Sequence, residues 1–270
     1  LLARMPLTAL VRNLGVMSKV GLLAPMSDAE RKVIERLRDT RALRKARLHP
    51  LAILIAQRTY ANGRGLRGGN QWTPATRVID ALDDAFYLAF DAVEPAGKRT
   101  LLALDVSGSM SMGMVAGVPS LTPRDTSAAM ALVTARTEPE YHIVGFTTSL
   151  LPLNLSAGMR LNDAVSAVTG LPFGGTDCAQ PMLYALEKEM KVDTFVVYTD
   201  SETWAGSIHP SQALARYRQE TGISARLIVV GMVANKFTIA DPNDRGMLDV
   251  VGFDTAAPQL INDFARGDLG

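Results

Sequence analysis

The spacing of apolar positions predicts that the first hundred residues are entirely helical. Apolar residues recur three and four positions apart between Leu7 and Met17, which places them on one face of a helix. A second helix is expected to begin after Ser27, an N-cap followed by Glu30 as in a capping box, and to end before Pro50. The predicted helices cover residues 6–23, 28–48, 51–61 and 73–93, the last with Pro74 in its first turn. Helix pairs joined by short turns indicate the end of an α-solenoid of the HEAT or armadillo kind.

After residue 95 the pattern changes to short apolar strands that alternate with helices. The strands are predicted at residues 99–104, 141–146, 194–198, 225–231 and 249–253. The helices are predicted at residues 126–136, 161–168, 178–189, 210–220 and 258–265. Such alternation indicates an α/β domain with a mostly parallel, Rossmann-like sheet and helices on both faces. Ligands of such sheets bind at the carboxyl ends of the strands.

The two regions also differ in charge. Residues 1–100 contain 17 Lys and Arg against 9 Asp and Glu, a net charge of +8, whereas residues 101–270 contain 11 against 18, a net charge of −7. We therefore expect two units, residues 1–95 and 96–270, of which the basic one could face a polyanion and the acidic one could hold a cation.

Composition narrows the class of protein. A chain that is 47% hydrophobic and 20% charged is globular and not disordered. The one cysteine rules out an internal disulfide framework and indicates a reducing compartment. No apolar run is long enough to span a bilayer, so we expect a cytoplasmic protein with no membrane partner.

One set of polar residues lies where metal ligands are expected. Asp105, Ser107 and Ser109 follow the first predicted strand in the pattern Asp-x-Ser-x-Ser. Thr176 lies in a Gly-Gly-Thr-Asp loop, and Asp200 comes soon after another strand. Carboxylate and hydroxyl oxygens are hard donors that suit Mg²⁺ or Mn²⁺. An isolated Asp-x-Ser-x-Ser pattern is more often a turn or a helix cap, but the combination of all five residues favours a metal site.

These residues and their surroundings resemble a known family. The five metal-site residues match the metal-ion-dependent adhesion site of von Willebrand factor A domains. Four stretches of the sheet region resemble the Ro autoantigen family: residues 101–107 (LLALDVS), 174–178 (GGTDC), 237–249 (FTIADPNDRGMLD) and 252–255 (GFDT). Three stretches of the helical region resemble that family's RNA-binding TROVE module: residues 5–14 (MPLTALVRNL), 65–68 (GLRG) and 93–99 (VEPAGKR). The chain is identified as the C-terminal part of a bacterial-type member.

The resemblance implies a ring of HEAT-like helices closed by an A-type domain. Such a protein binds small noncoding Y RNAs and the ends of misfolded RNAs in RNA quality control or processing. Residues 1–95 would be the C-terminal end of the HEAT-like RNA-binding module, and residues 96–270 the von Willebrand factor A domain with its metal site. The expected partners are small noncoding RNA and a protein such as an exoribonuclease, and the chain itself is expected to be a monomer.

The resemblance also implies how the metal site works. Ser107 and Ser109 would bind the ion directly, and Asp105 and Asp200 would act mostly through ordered waters. Thr176 would bind the ion directly or through a water. Few charged direct ligands leave the ion electrophilic, so that an acidic group from a partner can complete its shell.

Basic residues provide candidates for RNA contact. Lys and Arg are concentrated between residues 31 and 47, and two more arginines lie in a Gly-rich loop. The candidate phosphate contacts are Arg38, Arg41, Arg44, Lys45, Arg47, Arg64 and Arg67. The alternative is a solvated helix face with internal salt bridges. That alternative is weakened because the acidic residues of the predicted helix do not balance its bases.

Two other functions fit parts of the chain. A protein-adhesion module would use the metal to bind an acidic side chain of a protein partner. A haloacid-dehalogenase-like phosphohydrolase also places an Asp loop after its first strand, but that family needs a second Asp two positions later, where this chain has Ser107. No nucleophile–histidine arrangement is evident, so we expect no enzymatic activity.

Three further features have structural interpretations. Cys178 is expected to be a half-buried structural cysteine and not an activated thiol. The histidines lack metal-ligand spacing, which argues against zinc. Asp241, Asp244 and Asp249 with Arg245 are expected to form a turn held by Asx hydrogen bonds and an Asp–Arg pair, and not a second metal loop.

Overall fold

The computed structural model describes residues 2–66, 69–171, 175–200, 205–233 and 239–269. The chain divides into two compact units. The helical unit comprises Leu1–Glu94 and Gly117–Leu121, and the sheet unit comprises Pro95–Ala116 and Thr122–Gly270. None of the helices in the described ranges combines the length and the apolar character needed to cross a membrane.

The described part of the helical unit contains five α-helices. They are α1 (Leu7–Lys19), α2 (Asp28–Leu37), α3 (Thr40–Ala46), α4 (Pro50–Ala61) and α5 (Thr76–Leu88), and a 3₁₀ turn, Ala89–Ala92, follows α5. Their apolar faces meet in a core that includes the fully buried side chains Leu10, Leu14, Leu37, Leu43, Leu51, Ile53 and Leu54. The three-and-four spacing of apolar residues predicted the α1 face correctly, because Leu7, Leu10, Val11, Leu14 and Met17 are all buried.

The predicted helix 28–48 is wrong as a single element. It consists of α2 and α3, which are separated at residues 38 and 39. The Asp39 carboxylate accepts a hydrogen bond from the backbone N–H of Ala42 at 3.1 Å, so it acts as the N-cap of a new helix. At the start of α2, Ser27 is the N-cap as expected, but the Glu30 carboxylate accepts from the backbone N–H of Met26 and not from that of Ser27. The capping box is therefore only half formed.

The predicted position of Pro74 in the first turn of a helix is also wrong. Helix α5 begins at Thr76, and the residues before it are extended. The Tyr60 hydroxyl accepts a hydrogen bond from the backbone N–H of Ala75, and the Gly63 carbonyl accepts from that of Trp72. These bonds hold the segment against the end of α4, which sequence spacing does not reveal.

The described part of the sheet unit contains five further α-helices and six strands. The strands are β1 (Thr100–Asp105), β2 (Tyr141–Phe146), β3 (Leu150–Pro152), β4 (Thr194–Thr199), β5 (Arg226–Gly231) and β6 (Met247–Val251). The helices are α6 (Pro123–Thr137), α7 (Leu161–Ala167), α8 (Gln180–Glu187), α9 (Pro210–Thr221) and α10 (Ala257–Arg266). Only β3 has no counterpart among the predicted strands. It is three residues long and lies at the sheet edge, too short for a detectable alternation.

The sheet has the strand order β3-β2-β1-β4-β5-β6. All neighbouring strands are parallel except β2 and β3, which are antiparallel. The order reverses between β1 and β4, which pair side by side although β2 and β3 lie between them in sequence. A crevice at the carboxyl ends of the strands is the usual ligand site at such a switch point. The predicted α/β fold, with a mostly parallel sheet and a helical segment before it, is confirmed.

Helices cover both faces of this sheet. Alternate strand residues, such as Leu101, Ala103, Phe195 and Val197, share one core with buried residues of α8 and α9. Helix α6 packs with α7 and contacts β1 and β2, but its buried residues are not part of that core, so it covers the opposite face. All six residues of β1 and all six of β4 are buried, which makes the sheet centre a rigid platform for the loops that leave it.

Candidate functional site

The candidate site is centred on Asp105, the last residue of β1. Its side chain is buried, with 2% of its surface exposed. One carboxylate oxygen, Oδ1, accepts a hydrogen bond from the backbone N–H of Ser107 at 2.8 Å. The chain then forms a 3₁₀ turn, Gly108–Ser111, which brings the hydroxyl of Ser109 to 3.0 Å from that of Ser107. The Asp-x-Ser-x-Ser pattern thus places its three side chains on one side of a single tight loop.

The neighbouring strand β4 provides the second part of the site. Asp200 follows β4 directly, and its Oδ1 accepts a hydrogen bond from the Ser109 hydroxyl at 3.1 Å. Thr199 is the last residue of β4, is fully buried and donates from Oγ1 to Asp105 Oδ2 at 2.8 Å. Because β1 and β4 are adjacent and parallel, their carboxyl ends bring residues about ninety positions apart into contact.

Thr176 completes the cluster from a loop before α8. Its hydroxyl donates to Asp105 Oδ2 at 3.2 Å. The loop is held by backbone bonds from Ala205 to the Thr176 carbonyl and from Asp177 to the Thr147 carbonyl. The buried Asp177 carboxylate also accepts from the backbone N–H of Ala179 at 3.0 Å, just before α8. The structure therefore brings all five predicted residues together.

Burial dominates the electrostatics of the cluster. Desolvation raises the pKa of the Asp105 carboxyl, and the nearby Asp200 carboxylate raises it further, whereas hydrogen bonds from Ser107 and Thr199 oppose the rise. An ionised Asp105 is thus disfavoured by its surroundings unless a cation compensates for it. A bound cation would favour the ionised form of Asp105 instead.

The oxygens in the cluster fit a hard divalent ion. Two carboxylates and three hydroxyls converge here. The hydroxyl–hydroxyl and hydroxyl–carboxylate distances are 3.0 to 3.2 Å. In an octahedral site with metal–oxygen distances of about 2.1 Å, neighbouring ligand oxygens lie roughly 3.0 Å apart, which is close to these distances. Across the described residues, no three His, Cys, Asp or Glu side chains lie together as metal ligands would. The cluster has only two carboxylates, so it has enough oxygen ligands for a metal ion only when its three hydroxyls are included.

Two residues next to the cluster were not singled out in the sequence. Thr199 holds Asp105 in place, and the Arg124 guanidinium donates to the backbone carbonyl of Ser107 at 3.0 Å. The strand-final position of Thr199 beside Asp200 was a usable signal, because strand ends on a parallel sheet meet. Arg124 lies in the first turn of α6, and no sequence pattern connects it to Ser107.

The candidate RNA-binding residues differ in whether they form ion pairs. Arg38 is paired with Asp84 at 2.7 Å and Arg44 with Asp91 at 3.8 Å, so acidic residues outside the basic run partly neutralise it. Within the described part of the chain, Arg41, Lys45 and Arg47 are exposed and form no ion pair or side-chain hydrogen bond. Arg64 is exposed in the loop after α4, and Arg67 lies outside the described residues.

Other sequence features have structural roles. Cys178 is fully buried, more than expected, and burial raises the pKa of its thiol, so it is not an activated nucleophile. Asp241 accepts hydrogen bonds within its own turn from Asn243, as expected. Asp244 forms an ion pair, but its partner is Arg218 of α9 and not the adjacent Arg245.

Comparisons with known proteins identify the family. A family model described as the Ro60 vWA domain matches residues 99–265, and the TROVE domain model matches residues 1–60. The chain belongs to the Ro60 family. The resemblance inferred from the sequence motifs is thereby confirmed.

Individual relatives of this Ro60-family chain are similar over nearly its whole length. The Deinococcus radiodurans protein named RNA-binding protein RO60 is 53% identical over 97% of this chain and 50% of its own length. The Caenorhabditis elegans protein of the same name is 42% identical over 98% of this chain and 41% of its own length. The crystal structure of the Deinococcus radiodurans RO (RSR) protein superposes with a TM-score of 0.93, over 97% of this chain and 53% of that one. The chain therefore spans about half the length of the relatives that it matches.

Proposed function

We propose that this chain is part of an RNA-binding protein whose helical unit contacts RNA phosphates and whose sheet unit holds a divalent cation. Its RNA would be small, noncoding and Y-like, or the end of a misfolded RNA, in RNA quality control or processing. Residues 1–95 would be the end of a HEAT-like RNA-binding module. The observation that carries this proposal is the 53% identity, across 97% of the chain, to a protein named as RNA-binding.

The surface of the helical unit supports contact with phosphates. The exposed cations Arg41, Lys45 and Arg47 lie in or directly after α3, and none of them forms an ion pair within the described ranges of the chain. Exposed, unpaired Lys and Arg side chains bind phosphates and release counterions, so binding becomes weaker as salt increases. Arg38 and Arg44 would first have to leave Asp84 and Asp91.

The test is a gel-shift titration of this chain with a structured small RNA at two salt concentrations. Replacing Arg41, Lys45 and Arg47 with glutamine should weaken binding and flatten the salt dependence by roughly 2 log units per log unit of salt, about 0.7 for each single-strand contact. The matched control replaces Arg31, Lys188 and Arg216, which are ion-paired to Asp28, Glu187 and Glu220, carry the same total charge and are not candidate RNA contacts. Equal losses in the two triple variants would show that only net charge matters and would contradict a contact surface on α3.

The metal site is proposed as Mg²⁺ or Mn²⁺ bound at the Asp105 cluster. Ser107, Ser109 and Thr176 would hold the ion with their hydroxyl oxygens, and Asp105 and Asp200 would neutralise it. The bound ion would supply an electrophilic centre for an oxygen ligand from a partner. Ser107 replaces the second carboxylate that hydrolysis would need, so we expect no phosphoester turnover.

A second candidate function is protein adhesion, in which the metal binds an acidic side chain of a protein partner such as an exoribonuclease. The observation that favours it is the net charge of −7 on residues 101–270, which would repel RNA phosphates from this cluster. The Asp105→Asn variant separates the two functions. If this variant keeps its RNA affinity, RNA contact lies away from the metal. A loss of RNA affinity would contradict the proposal that the helical unit contacts RNA while the sheet unit holds the cation.

A further inference from the structure

A second candidate site lies at the opposite end of the same sheet. A cavity of about 390 Å³ is lined by residues from the α9–β5 connection, the start of β5 and the turn before β6. The lining includes Arg218, Ser224, Arg226, Arg245 and Gly246. Arg226 opens β5 and Gly246 immediately precedes β6, so the cavity is at the amino ends of these strands. The Asp105 cluster lies at the carboxyl ends of β1 and β4, about 20 Å away for six-residue strands.

The three arginines line the cavity, and the other contacts of Arg218 and Arg226 fix the positions of their guanidinium groups. Arg218 donates from Nε to the Ala225 carbonyl and from Nη1 to Asp244, which leaves Nη2. Arg226 donates from Nη1 to the Phe264 carbonyl, and its guanidinium stacks on the Phe264 ring. Arg245 is exposed and, among the described residues, forms no ion pair or side-chain hydrogen bond. The guanidinium groups of Arg218 and Arg226 are thus held in place, whereas that of Arg245 can move to contact a ligand.

Gly246 leaves the space in which the Arg218 guanidinium lies against the turn before β6. A Cβ at position 246 would lie 2.2 Å from Arg218 Nη2, which no side chain can do without displacing the arginine. The absence of a side chain therefore lets Arg218 extend along the turn before β6 to reach Asp244.

The charge of the cavity favours an anion with two negative charges. Among the described residues, the three lining guanidinium charges less the Asp244 carboxylate that pairs with Arg218 give a net charge of +2. The C-terminal end of α9 also faces this region at Gly222 and contributes the partial negative charge of a helix dipole, about half a unit, which is smaller than the net positive charge. Planar guanidinium groups bind tetrahedral oxyanions in a bidentate manner, whereas lysines bind them as point charges.

The geometry points to a binding site for a dianionic phosphate group, either inorganic phosphate or a phosphate monoester, in the cavity formed by Arg218, Arg226 and Arg245. The volume is at the lower end of the range of small-ligand sites, which suits a ligand no larger than a mononucleotide. This site is independent of the Asp105 cluster and of the cations on α3.

The experiment is an isothermal titration of the chain with sodium phosphate at low ionic strength, where screening is weak. Arg245→Gln should weaken phosphate binding by about tenfold or more, the usual effect of one lost charge-assisted hydrogen bond. Because Arg245 is exposed and makes no internal bond, this variant should fold normally, which circular dichroism would verify. The matched control is Arg216→Gln, which removes the same charge from an arginine of α9 that is paired with Glu220 and does not line the cavity.

Two further ligands establish the chemistry and source of the phosphate. A nucleoside 5′-monophosphate that binds more tightly than inorganic phosphate, and more weakly to Arg245→Gln, would support a monoester as the ligand, and the reverse order would support the free ion. Dimethyl phosphate carries one negative charge and should bind at least tenfold more weakly than either. The proposal is overturned if phosphate does not bind, if Arg245→Gln and Arg216→Gln weaken it equally, or if the diester binds as tightly as the dianions.

Discussion

The two units of the chain differ in where the polar side chains of their candidate sites lie. In the sheet unit, the buried Asp105 carboxylate receives hydrogen bonds on both oxygens, from Ser107, Thr176 and Thr199. In the helical unit, those candidate contact residues that the structure describes are exposed, and the enclosed Nε2 of His49 has no hydrogen-bond partner among the described residues. One unit has an organised polar interior, whereas the other carries its candidate chemistry on its surface.

This difference determines how each region should respond to substitution. A cluster whose members position one another should lose its ligand when one central residue changes, because each side chain holds the next. A surface of separate cations should lose affinity in equal steps, one step for each charge. The predictions below test the mutual support of the Asp105 cluster and, for comparison, the unpaired Nε2 of His49 in the helical unit, and they run from the largest expected effect to the smallest.

The largest effect is expected for Asp105→Asn. The amide oxygen can replace Oδ2 and accept from Thr176 and Thr199, but the amide nitrogen cannot accept from the Ser107 N–H, and the side chain lacks the negative charge that would compensate a cation. We expect Mg²⁺ affinity, measured by isothermal titration, to fall by roughly 100-fold. With Mg²⁺ at 100 times its dissociation constant, the original chain should gain about 2.7 kcal/mol in unfolding free energy, and the variant about 0.4 kcal/mol.

The control for this prediction is Asp254→Asn. Asp254 is exposed, and its one hydrogen bond to another described residue is a local one, accepted from the backbone N–H of Ala256. The exchange is chemically identical and lies in the same unit, so Mg²⁺ binding should not change. If Asp105→Asn retained the affinity of the original chain, the cluster would not be a metal site.

The same comparison explains what the sequence could predict. The Asp105 cluster was predictable because its residues follow strands of a parallel sheet, and the carboxyl ends of adjacent strands must meet. Apolar runs such as 194–198 are buried on both sides and identify strands to within a residue or two. The fold and the five oxygen donors therefore follow from local pattern and topology together.

Pairing between distant surface charges was not predictable. The basic run suggested one continuous contact surface, but Asp84 and Asp91, on a different segment of the chain, pair with Arg38 and Arg44. Which acid approaches which base depends on helix packing, and helical spacing within one segment carries no information about it. The same reason explains why Arg124 and the arginine cavity at the amino ends of β5 and β6 were missed.

The second prediction concerns His49 in the helical unit. Its Nδ1 accepts a hydrogen bond from the backbone N–H of Leu51 at 3.1 Å, which places the proton on the enclosed Nε2. Burial lowers the pKa of His49 to about 4, from 6.5. Between these values the unfolded chain binds more protons than the folded one, so the stabilisation is complete above pH 6.5 and decreases as the pH falls towards 4. At pH 5 the loss should be about 2 kcal/mol.

The measurement is urea unfolding at several pH values, with and without His49→Asn. Asparagine keeps a cap acceptor at the start of α4 but does not titrate, so the variant should lose less stability between pH 7 and pH 5. The exchange His209→Asn, at the histidine N-cap of α9, is the control and should leave the contribution of His49 in place. Identical pH profiles for the original chain and His49→Asn would contradict the prediction.

The smallest effect is expected for Thr199, which tests whether the cluster depends on residues that would not touch the ion. Thr199→Val preserves the shape of a fully buried side chain and removes only the hydroxyl that donates to Asp105 Oδ2 at 2.8 Å. Without that donor the carboxylate is less firmly oriented, so Mg²⁺ affinity should fall by about tenfold. Thr199→Ser retains the hydroxyl and should keep the affinity within about threefold, even though it removes a buried methyl group and lowers the unfolding free energy by roughly 1 kcal/mol. A role in packing alone would give the opposite order, with the serine variant the weaker of the two, and calorimetric titration of both variants would distinguish these outcomes.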